Sequence, residues 1–297
     1  MDAQRQKRIR IWTLLCLAAF LGVPGLCGGL QAAASSGTGE TGTVPLGLPP
    51  VEFPADNPQT PAKIALGETL FLDTRFSSTG AVSCSTCHDP KKAFTDSPLK
   101  VSEGILKLTG TRNAPTVVNS AYMQTQFWDG RSPSLEDQAL HPPVNPVEMG
   151  LKNHQPILDI VRSDPEYVQQ FKEVFGKSGD AVTMTEVTQA IAAFERTLIS
   201  GNSPFDRWFY GGEADALTPA QQRGYHLFIN EGRCVSCHVI EQTQALFTDN
   251  RFHNIGVGIN AIQDEVPKLA REFLKAEATA SEVDVKVLTD KRTSELG

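Results

Sequence analysis

The chain has 297 residues, with 34 acidic and 27 basic side chains and a formal net charge of −7. Its 21% charged and 40% hydrophobic residues are typical of a globular protein and exclude a fibrous or largely disordered chain. The acidic balance also argues against a nucleic-acid partner, because phosphate binding needs a basic surface.

The first 34 residues have the layout of an export signal. A basic stretch at 5–10 precedes an apolar run at 11–26, and Ala32–Ala34 fits a signal-peptidase site. The run of about 16 residues is short for a membrane-spanning helix. We therefore expect export to the periplasm with no stable membrane anchor. A retained anchor and a lipoprotein attached through Cys27 are the alternatives.

The expected mature chain is more acidic than the whole sequence. Residues 1–34 hold four basic and one acidic side chain, so 33 acidic and 23 basic ones remain, a formal charge of −10. This charge suits a soluble protein with a basic protein partner. Residues 35–50 are rich in Gly, Ser and Thr and predict a flexible lead-in.

Four cysteines remain after the signal, and all of them lie in two copies of Cys-x-x-Cys-His. The copies are Cys84–His88 and Cys234–His238. In this motif two thiols add to the vinyl groups of a porphyrin, and the adjacent histidine then binds the iron. Two disulfides or a redox-active dithiol are the alternatives, but neither needs a histidine after the second cysteine. The pattern predicts two covalent haem c groups, attached through Cys84, Cys87, Cys234 and Cys237, with His88 and His238 as iron ligands.

Both motifs follow the same kind of segment. Thr60-Pro61-Ala62 and Gly67-x-x-Leu70-Phe71 precede the first, and Thr218-Pro219-Ala220 and Gly224-x-x-Leu227-Phe228 precede the second. Thr followed by Pro is typical of a helix start. Each motif is thus predicted to follow a short helix whose Leu-Phe pair packs on the porphyrin, and the chain contains a divergent internal duplication.

The fold class predicted is mainly α, with two cytochrome-c-like haem domains in tandem. Further helices are predicted to begin at Asp164-Pro165 and at Thr183, and the second of these carries apolar residues at helical spacing as far as Leu198. The stretch 89–150 is rich in Pro, Gly and Asn, so we expect a long loop around the first haem. The breaker segment 201–204 marks the domain boundary. The predicted domains are 51–206 and 207–297.

Several spaced segments carry a resemblance to a known family. They are Gly110–Thr116, Gln126–Arg131, Glu136–Ala139, Asn145–Met149, Phe194–Leu198 and Ser203–Asp206. Together with the two haem motifs, they resemble the bacterial di-haem cytochrome c peroxidases, a family that includes the MauG enzymes. The resemblance runs from about residue 50 to residue 297.

The resemblance implies a role for each haem domain. His88 would be the proximal ligand of a low-potential, peroxidatic haem, and His238 would hold an electron-transfer haem. Trp128 matches the Trp that carries electrons between the haems. Hydrogen peroxide would be the substrate, and a small cytochrome c or cupredoxin would be the electron donor. A homodimer is left open.

The resemblance also implies the distal pocket of the first haem. Gln138 and Glu148 match the distal pair, with Glu148 as the acid/base residue, and Pro142 lines the distal face. Asn113 matches a ligand of an interdomain calcium ion. Peroxide cleavage needs a proton moved between its oxygens, and a partly buried carboxyl suits this task. The residues alone, without the resemblance, favour a surface carboxylate in a loop for Glu148, a core residue for Trp128 and a solvated polar residue for Gln138.

Two departures from the family pattern affect the predicted iron ligands. Many family members carry a distal gating histidine at about the position of Ile105, but no histidine lies between His88 and His141. We therefore expect an open or water-bound first haem. No methionine follows Met184, so the second haem lacks the family's distal Met or Tyr. We expect an incomplete second domain, with His253 as an axial ligand being the alternative.

Three functions are compatible with these patterns. The first is a periplasmic peroxidase that receives electrons from a small redox protein. The second is MauG-like oxidation of a protein or an organic substrate. The third is a non-enzymatic di-haem electron carrier, which the missing distal histidine argues against.

Overall fold

The computed structural model describes residues 44–256 and the single positions Glu265, Lys268 and Glu272. The predicted signal peptide therefore lies outside the described residues. All described residues belong to one compact unit, 38–297. Nine helices are found in the described part: α1 (Pro61–Leu72), α2 (Cys84–Cys87), α3 (Leu135–Gln138), α4 (His141–Val144), α5 (Gln155–Ser163), α6 (Pro165–Phe175), α7 (Met184–Glu195), α8 (Pro204–Phe209) and α9 (Pro219–Ile229).

The mainly α fold class is confirmed. Among residues 44–256, extended pairing is limited to three isolated bridges, Asp89↔Thr95, Glu103↔Thr109 and Gln126↔Ser132. All three lie in the predicted irregular stretch 89–150, where α3 and α4 are the α-helices present. None of the helices in the described residues is long and apolar enough to cross a membrane.

The core is built around α1 and α7. Helix α7 is buried along most of its length, including Glu186, Thr188 and Glu195, and α1 packs along it. Gly67 permits the contact, because a Cβ atom there would lie 1.9 Å from the carbonyl oxygen of Ala190. Leu66, Leu70 and Phe71 are consequently buried.

The predicted helices begin directly after their capping residues. The Thr60 hydroxyl accepts a hydrogen bond from the Lys63 amide, and Thr183 and Thr218 form capping boxes with Glu186 and Gln221. The end of α7 differs from the predicted pattern. The helix ends at Glu195, and Leu198 lies beyond it, although its side chain still packs against the core.

The segment 44–50 differs from the flexible lead-in that the composition predicts. The carbonyls of Leu46 and Gly47 accept hydrogen bonds from the amides of Asn202 (2.8 Å) and Ala245 (2.9 Å). Gly47 has φ +85°, and a Cβ atom there would lie 2.1 Å from Asp206 Oδ1. The backbone hydrogen bonds and the close approach of Gly47 to Asp206 fix this segment. Neither feature can be predicted from a Gly-rich composition.

The second haem region has little core of its own. Among the described residues after 206, Leu217 and Ala245 are the buried ones. An aromatic cluster on α8 and α9 and in the following loop provides most of the packing. Its members are Phe205, Trp208, Phe209, Tyr210, Tyr225, Phe228 and Phe247.

Candidate haem sites and distal pocket

The first haem motif forms the short helix α2. The His88 amide donates to the Cys84 carbonyl at 3.0 Å, which brings both cysteines and the histidine onto one turn. The His88 Nδ1 atom lies 3.1 Å from the Phe94 carbonyl oxygen. Because a carbonyl oxygen only accepts, Nδ1 carries the proton and Nε2 keeps the lone pair that an iron ligand needs.

The second motif repeats this arrangement. The His238 amide donates to the Cys234 carbonyl at 2.9 Å, and His238 Nδ1 donates to the Phe247 carbonyl at 2.8 Å. The Phe of each predicted Leu-Phe pair lies beside the ligand histidine. The ring centroids of Phe71 and His88 are 6.5 Å apart, and those of Phe228 and His238 are 6.1 Å apart.

These two constellations fit haem c. All four cysteines are free thiols, and each histidine has the tautomer and hydrogen bond expected of a proximal ligand. The thiols of the first motif lie in a drier environment. Burial raises the pKa of Cys84 to about 12 and that of Cys87 to about 11, with smaller additions from the charges of Glu195 and Asp96 respectively.

Glu148 lies close enough to the first motif to affect its thiols. Its charge contributes to the raised pKa of both Cys84 and Cys87. Burial raises the pKa of Glu148 itself, and Arg131 and His141 oppose the shift. The side-chain amide of Asn145 donates a hydrogen bond to Glu148 Oε1 at 2.7 Å and fixes the carboxyl group. The neighbouring Met149 is buried and anchors the loop.

Ile105, the position of the missing gating histidine, is bound to the Glu148 loop. Its amide donates to the Glu148 carbonyl at 2.8 Å, and its side chain is part of the hydrophobic core. Gly104 and Gly150 allow this close approach, because a Cβ atom at either position would overlap the facing loop. An apolar residue here thus supports the backbone of the candidate acid.

Gln138 lies at the end of α3, and an ion pair holds that helix on the core. Arg196 donates to Glu136 at 2.6 and 2.9 Å through two different nitrogens, and Asn57 donates to Glu136 at 2.7 Å. Two of the family-like segments, at 136–139 and 194–198, are therefore in direct contact. The Gln138 side chain is half-buried and forms no hydrogen bond within the described part of the chain.

Trp128 lies on a small hairpin closed by the Gln126–Ser132 bridge. The indole is 54% exposed, and its Nε1 donates to the Asn113 carbonyl at 3.0 Å. Next to it, Arg112 pairs with Asp129 at 2.9 Å, so the segments at 110–116 and 126–131 are joined twice. Phe252 of the second region lies against Gly130 of this hairpin. Trp128 is thus on a loop that both regions share.

The remaining predicted residues have separate surroundings. The Asn113 side chain is exposed and has no hydrogen bond within residues 44–256. The Pro142 carbonyl accepts the amides of Asn145 and Met149, which supports the Glu148 loop. His253 Nε2 lies 2.9 Å from Asp249 Oδ2. That contact favours a hydrogen-bonding role for His253 over an axial one.

Two buried acids near the first motif were not predicted. Glu195 has an Oε2 atom with no partner in the described residues, and burial raises its pKa to about 8, with Glu136 adding to the shift and Arg196 opposing it. Asp96 is 5% exposed and has an Oδ2 atom that is likewise unpartnered in the described part. The repeated Phe-Thr-Asp at 94–96 and 247–249 was the sequence signal for Asp96. For Glu195, the only signal in the sequence was that it lies in the family-like segment Phe194–Leu198.

A family model described as di-haem cytochrome c peroxidase matches residues 61–214. The chain belongs to this family. It is 40% identical over 248 residues to cytochrome-c peroxidase IdrP1 of Denitromonas iodatirespirans, covering 82% of this chain and 61% of that protein. It is also 40% identical over 208 residues to methylamine utilization protein MauG of Methylorubrum extorquens, covering 70% of this chain and 56% of that protein.

The fold is similar to solved members of the same group. The crystal structure of a MauG-like protein associated with microbial copper homeostasis matches with a TM-score of 0.61 and 33% identity, covering 71% of this chain and 61% of that chain. The chain spans about 60% of the length of these family members. This likeness supports the predicted mainly α, di-haem architecture.

Proposed function

We propose that the protein is a periplasmic di-haem peroxidase that reduces hydrogen peroxide with electrons from a small cytochrome c or cupredoxin. The observation that carries the proposal is Glu148, a desolvated carboxyl beside the first haem motif. A protein that only carries electrons does not need a carboxyl group that transfers protons at this position. Two haem c groups would be attached through Cys84 and Cys87 and through Cys234 and Cys237, with His88 and His238 as iron ligands.

Haem bound at His88 would supply the redox-active iron, and the protein would supply proton movement. Glu148 takes the proton from one peroxide oxygen and returns it to the other, so that the O–O bond breaks and water leaves. With two electrons and two further protons, hydrogen peroxide becomes two water molecules. A raised pKa suits Glu148 to both halves of this transfer. Gln138 orients the peroxide through its amide.

Trp128 is proposed to carry electrons between the two haem regions. Its position supports this role, because the hairpin contacts Phe252 and the indole is fixed by the Asn113 carbonyl. We propose Asn113 as a calcium ligand on the resemblance alone. The acidic charge expected of the exported chain would suit a basic donor protein.

The central experiment replaces Glu148 by Gln in the full-length protein with both haems. Stopped-flow mixing with peroxide, followed in the Soret band, should show the peroxide-dependent step slowed about a hundred- to ten-thousandfold, because the amide cannot take a proton. Reduction of the second haem by its donor should not change. The matched control is Glu173→Gln, an exposed acid on α6. A wild-type peroxide step in Glu148→Gln would exclude this role for Glu148.

In the same experiment, Trp128→Phe separates electron transfer between the haems from the reaction with peroxide. We expect slower electron transfer between the haems, with peroxide binding unchanged. An unchanged interhaem rate would remove Trp128 from the path.

The proposed peroxidase should not need activation by partial reduction. Ile105 offers no ligand to iron, and its side chain is held in the core. The first haem should therefore be five-coordinate or water-bound when fully oxidised, and the oxidised protein should react with peroxide directly. The ferric absorption and electron paramagnetic resonance spectra test this. A purely low-spin first haem, or an absolute need for prior reduction, would contradict it.

A second candidate is the oxidation of a protein or organic substrate. It is supported by the 40% identity to MauG, which equals the identity to the peroxidase IdrP1. The two functions differ in where the electrons come from. Rapid peroxide consumption that depends on a reduced donor protein favours the peroxidase. Oxidised organic product formed with peroxide and no donor favours the alternative.

A further inference from the structure

The internal duplication extends beyond the haem motifs into the loops that follow them. Phe94-Thr95-Asp96 and Phe247-Thr248-Asp249 repeat the same three residues. In each copy the Phe carbonyl accepts the Nδ1 proton of the ligand histidine, and the Phe has a positive φ, 56° and 54°. The Thr hydroxyl in each copy accepts the amide two residues later, at 3.2 Å from Ser97 and 2.9 Å from Asn250.

This shared geometry places an aspartate at the same position in each loop, two residues after the Phe whose carbonyl accepts the hydrogen bond from the histidine. The surroundings of the two aspartates then differ. Asp249 Oδ2 is paired with His253 Nε2 at 2.9 Å, and its Oδ1 accepts the Arg251 amide at 3.0 Å. Its negative charge is therefore shared with a basic side chain and a backbone donor.

Asp96 has no such partner. Its side chain is buried, Oδ2 accepts no hydrogen bond, and none of the basic side chains in the described residues forms an ion pair with it. Burying a carboxylate oxygen without a hydrogen-bond partner costs free energy, so Asp96 Oδ2 calls for an explanation that packing does not give.

The charge of Asp96 reaches the haem-binding residues. It adds to the effect of burial in raising the pKa of Cys87. Asp96 also follows two residues after Phe94, whose carbonyl accepts the Nδ1 proton of His88. The buried carboxylate thus lies in the same short loop that holds the histidine, and charges act strongly where water is excluded.

We propose that Asp96 is a positioning residue that stabilises the oxidised iron of the first haem through His88, and that the hydrogen bond between His253 and Asp249 weakens the effect of the equivalent charge at the second haem. A negative charge behind a ligand histidine makes the ligand more electron-donating and favours the higher iron charge. The inference rests on the proposed attachment of haem at His88 and His238.

The test uses the full-length protein with both haems and measures the midpoint potential of each haem by spectroelectrochemical titration. Asp96→Asn keeps the shape and removes the charge. We expect the ferric/ferrous equilibrium of the first haem to move about tenfold toward the ferrous form, which is about 59 mV for a one-electron couple. The second haem should be unchanged.

The duplication provides matched controls. Asp249→Asn should change the equilibrium of the second haem less than Asp96→Asn changes that of the first, since hydrogen bonds from His253 and the Arg251 backbone already offset its charge. His253→Ala should move the second haem toward the ferric form, because it leaves Asp249 Oδ2 without that donor. Asp96→Glu, which keeps the charge, should stay close to the wild-type potential.

Two results would overturn the inference. One is a first-haem equilibrium that Asp96→Asn leaves within twofold of wild type. The other is an equal shift of both haems in that variant. If Asp96→Asn does not accumulate as a folded di-haem protein, His253→Ala tests the same electrostatics, and an unchanged second-haem potential counts against the inference. Because potentials are measured without peroxide, failure here is separate from failure of the peroxidase function, which Glu148→Gln reports.

Discussion

The two haem motifs share the hydrogen bonds that fix their histidines but have very different surroundings. Leu70 and Leu227 occupy equivalent positions, yet Leu70 is 1% exposed and Leu227 is 57% exposed. Cys84 is half-buried and packs against the hydrophobic core, whereas Cys234 is on the surface of the described residues. The first motif is thus built into a finished core, and the second is held mainly by an aromatic cluster.

This difference shows which part of a duplicated unit is local and which depends on its partners. The turn at the cysteines and the carbonyl that holds the histidine are formed by residues within the copy, so both copies have them. Burial comes from elements outside the copy. Helix α1 of the first copy packs along α7, and none of the described helices packs along α9 of the second copy in the same way.

The sharpest test of the comparison is the reactivity of the thiols. A thiol with a pKa of about 12 carries about a thousandfold less thiolate at pH 8 than one at the ordinary value of 9.0, and only thiolate reacts with iodoacetamide. In a chain produced without haem attachment, Cys84 should therefore be labelled much more slowly than Cys234, which is exposed. Mass spectrometry of the labelled peptides measures both rates. Labelling in urea should equalise them, and equal rates without urea would contradict the difference in burial.

The equivalent glycines of the two copies give a test of packing. Gly67→Ala places a methyl group against the Ala190 carbonyl, at 1.9 Å before any relaxation, and should separate α1 from α7. We expect a loss of about 3 kcal/mol in the free energy of unfolding, as for overpacked cores. Urea denaturation followed by circular dichroism measures it.

Gly224→Ala is the matched control for that variant. No atom lies within 4 Å of a Cβ atom at this position, so alanine meets no obstacle there. Since alanine is the better helix former, a gain of up to about 1 kcal/mol is expected. Similar losses in the two variants would mean that the second copy is packed like the first.

A smaller effect is expected from the buried acid beside Cys84. The pKa of Glu195 is about 8 in the folded chain, above its ordinary value of 4.5, so folding favours the protonated form. The unfolded chain loses its proton first, and stability should fall as the pH rises between these two values. Glu195→Gln should remove this dependence and raise the free energy of unfolding at pH 7, by at most about 3 kcal/mol, which is what a pKa rise from 4.5 to about 8 is worth at that pH.

Thermal or urea unfolding from pH 5 to pH 8 tests the Glu195 prediction. The matched control is Glu231→Gln, an exposed acid of the second region, which should leave the pH profile as it is. A wild-type profile that is flat over this range would show that Glu195 is not held protonated by the fold.

Much of the site was predictable because its chemistry is local. Two thiols and a histidine must be close along the chain to bind one porphyrin, so Cys84–His88 and Cys234–His238 are visible as motifs. Helix starts at Thr60, Thr183 and Thr218 were also predictable, since a cap bonds to amides within the next turn.

Contacts between distant residues were not predictable from the sequence. Arg196 and Glu136 are 60 positions apart, and only the packing of α3 on α7 makes them a pair. The same holds for the docking of Ile105 against the Glu148 loop and for the fixing of residues 44–50 by Asn202 and Ala245. The sequence alone determined the haem motifs, the duplication and the mainly α class. The tertiary structure decided which copy is buried, because burial depends on surfaces that come from elsewhere in the chain.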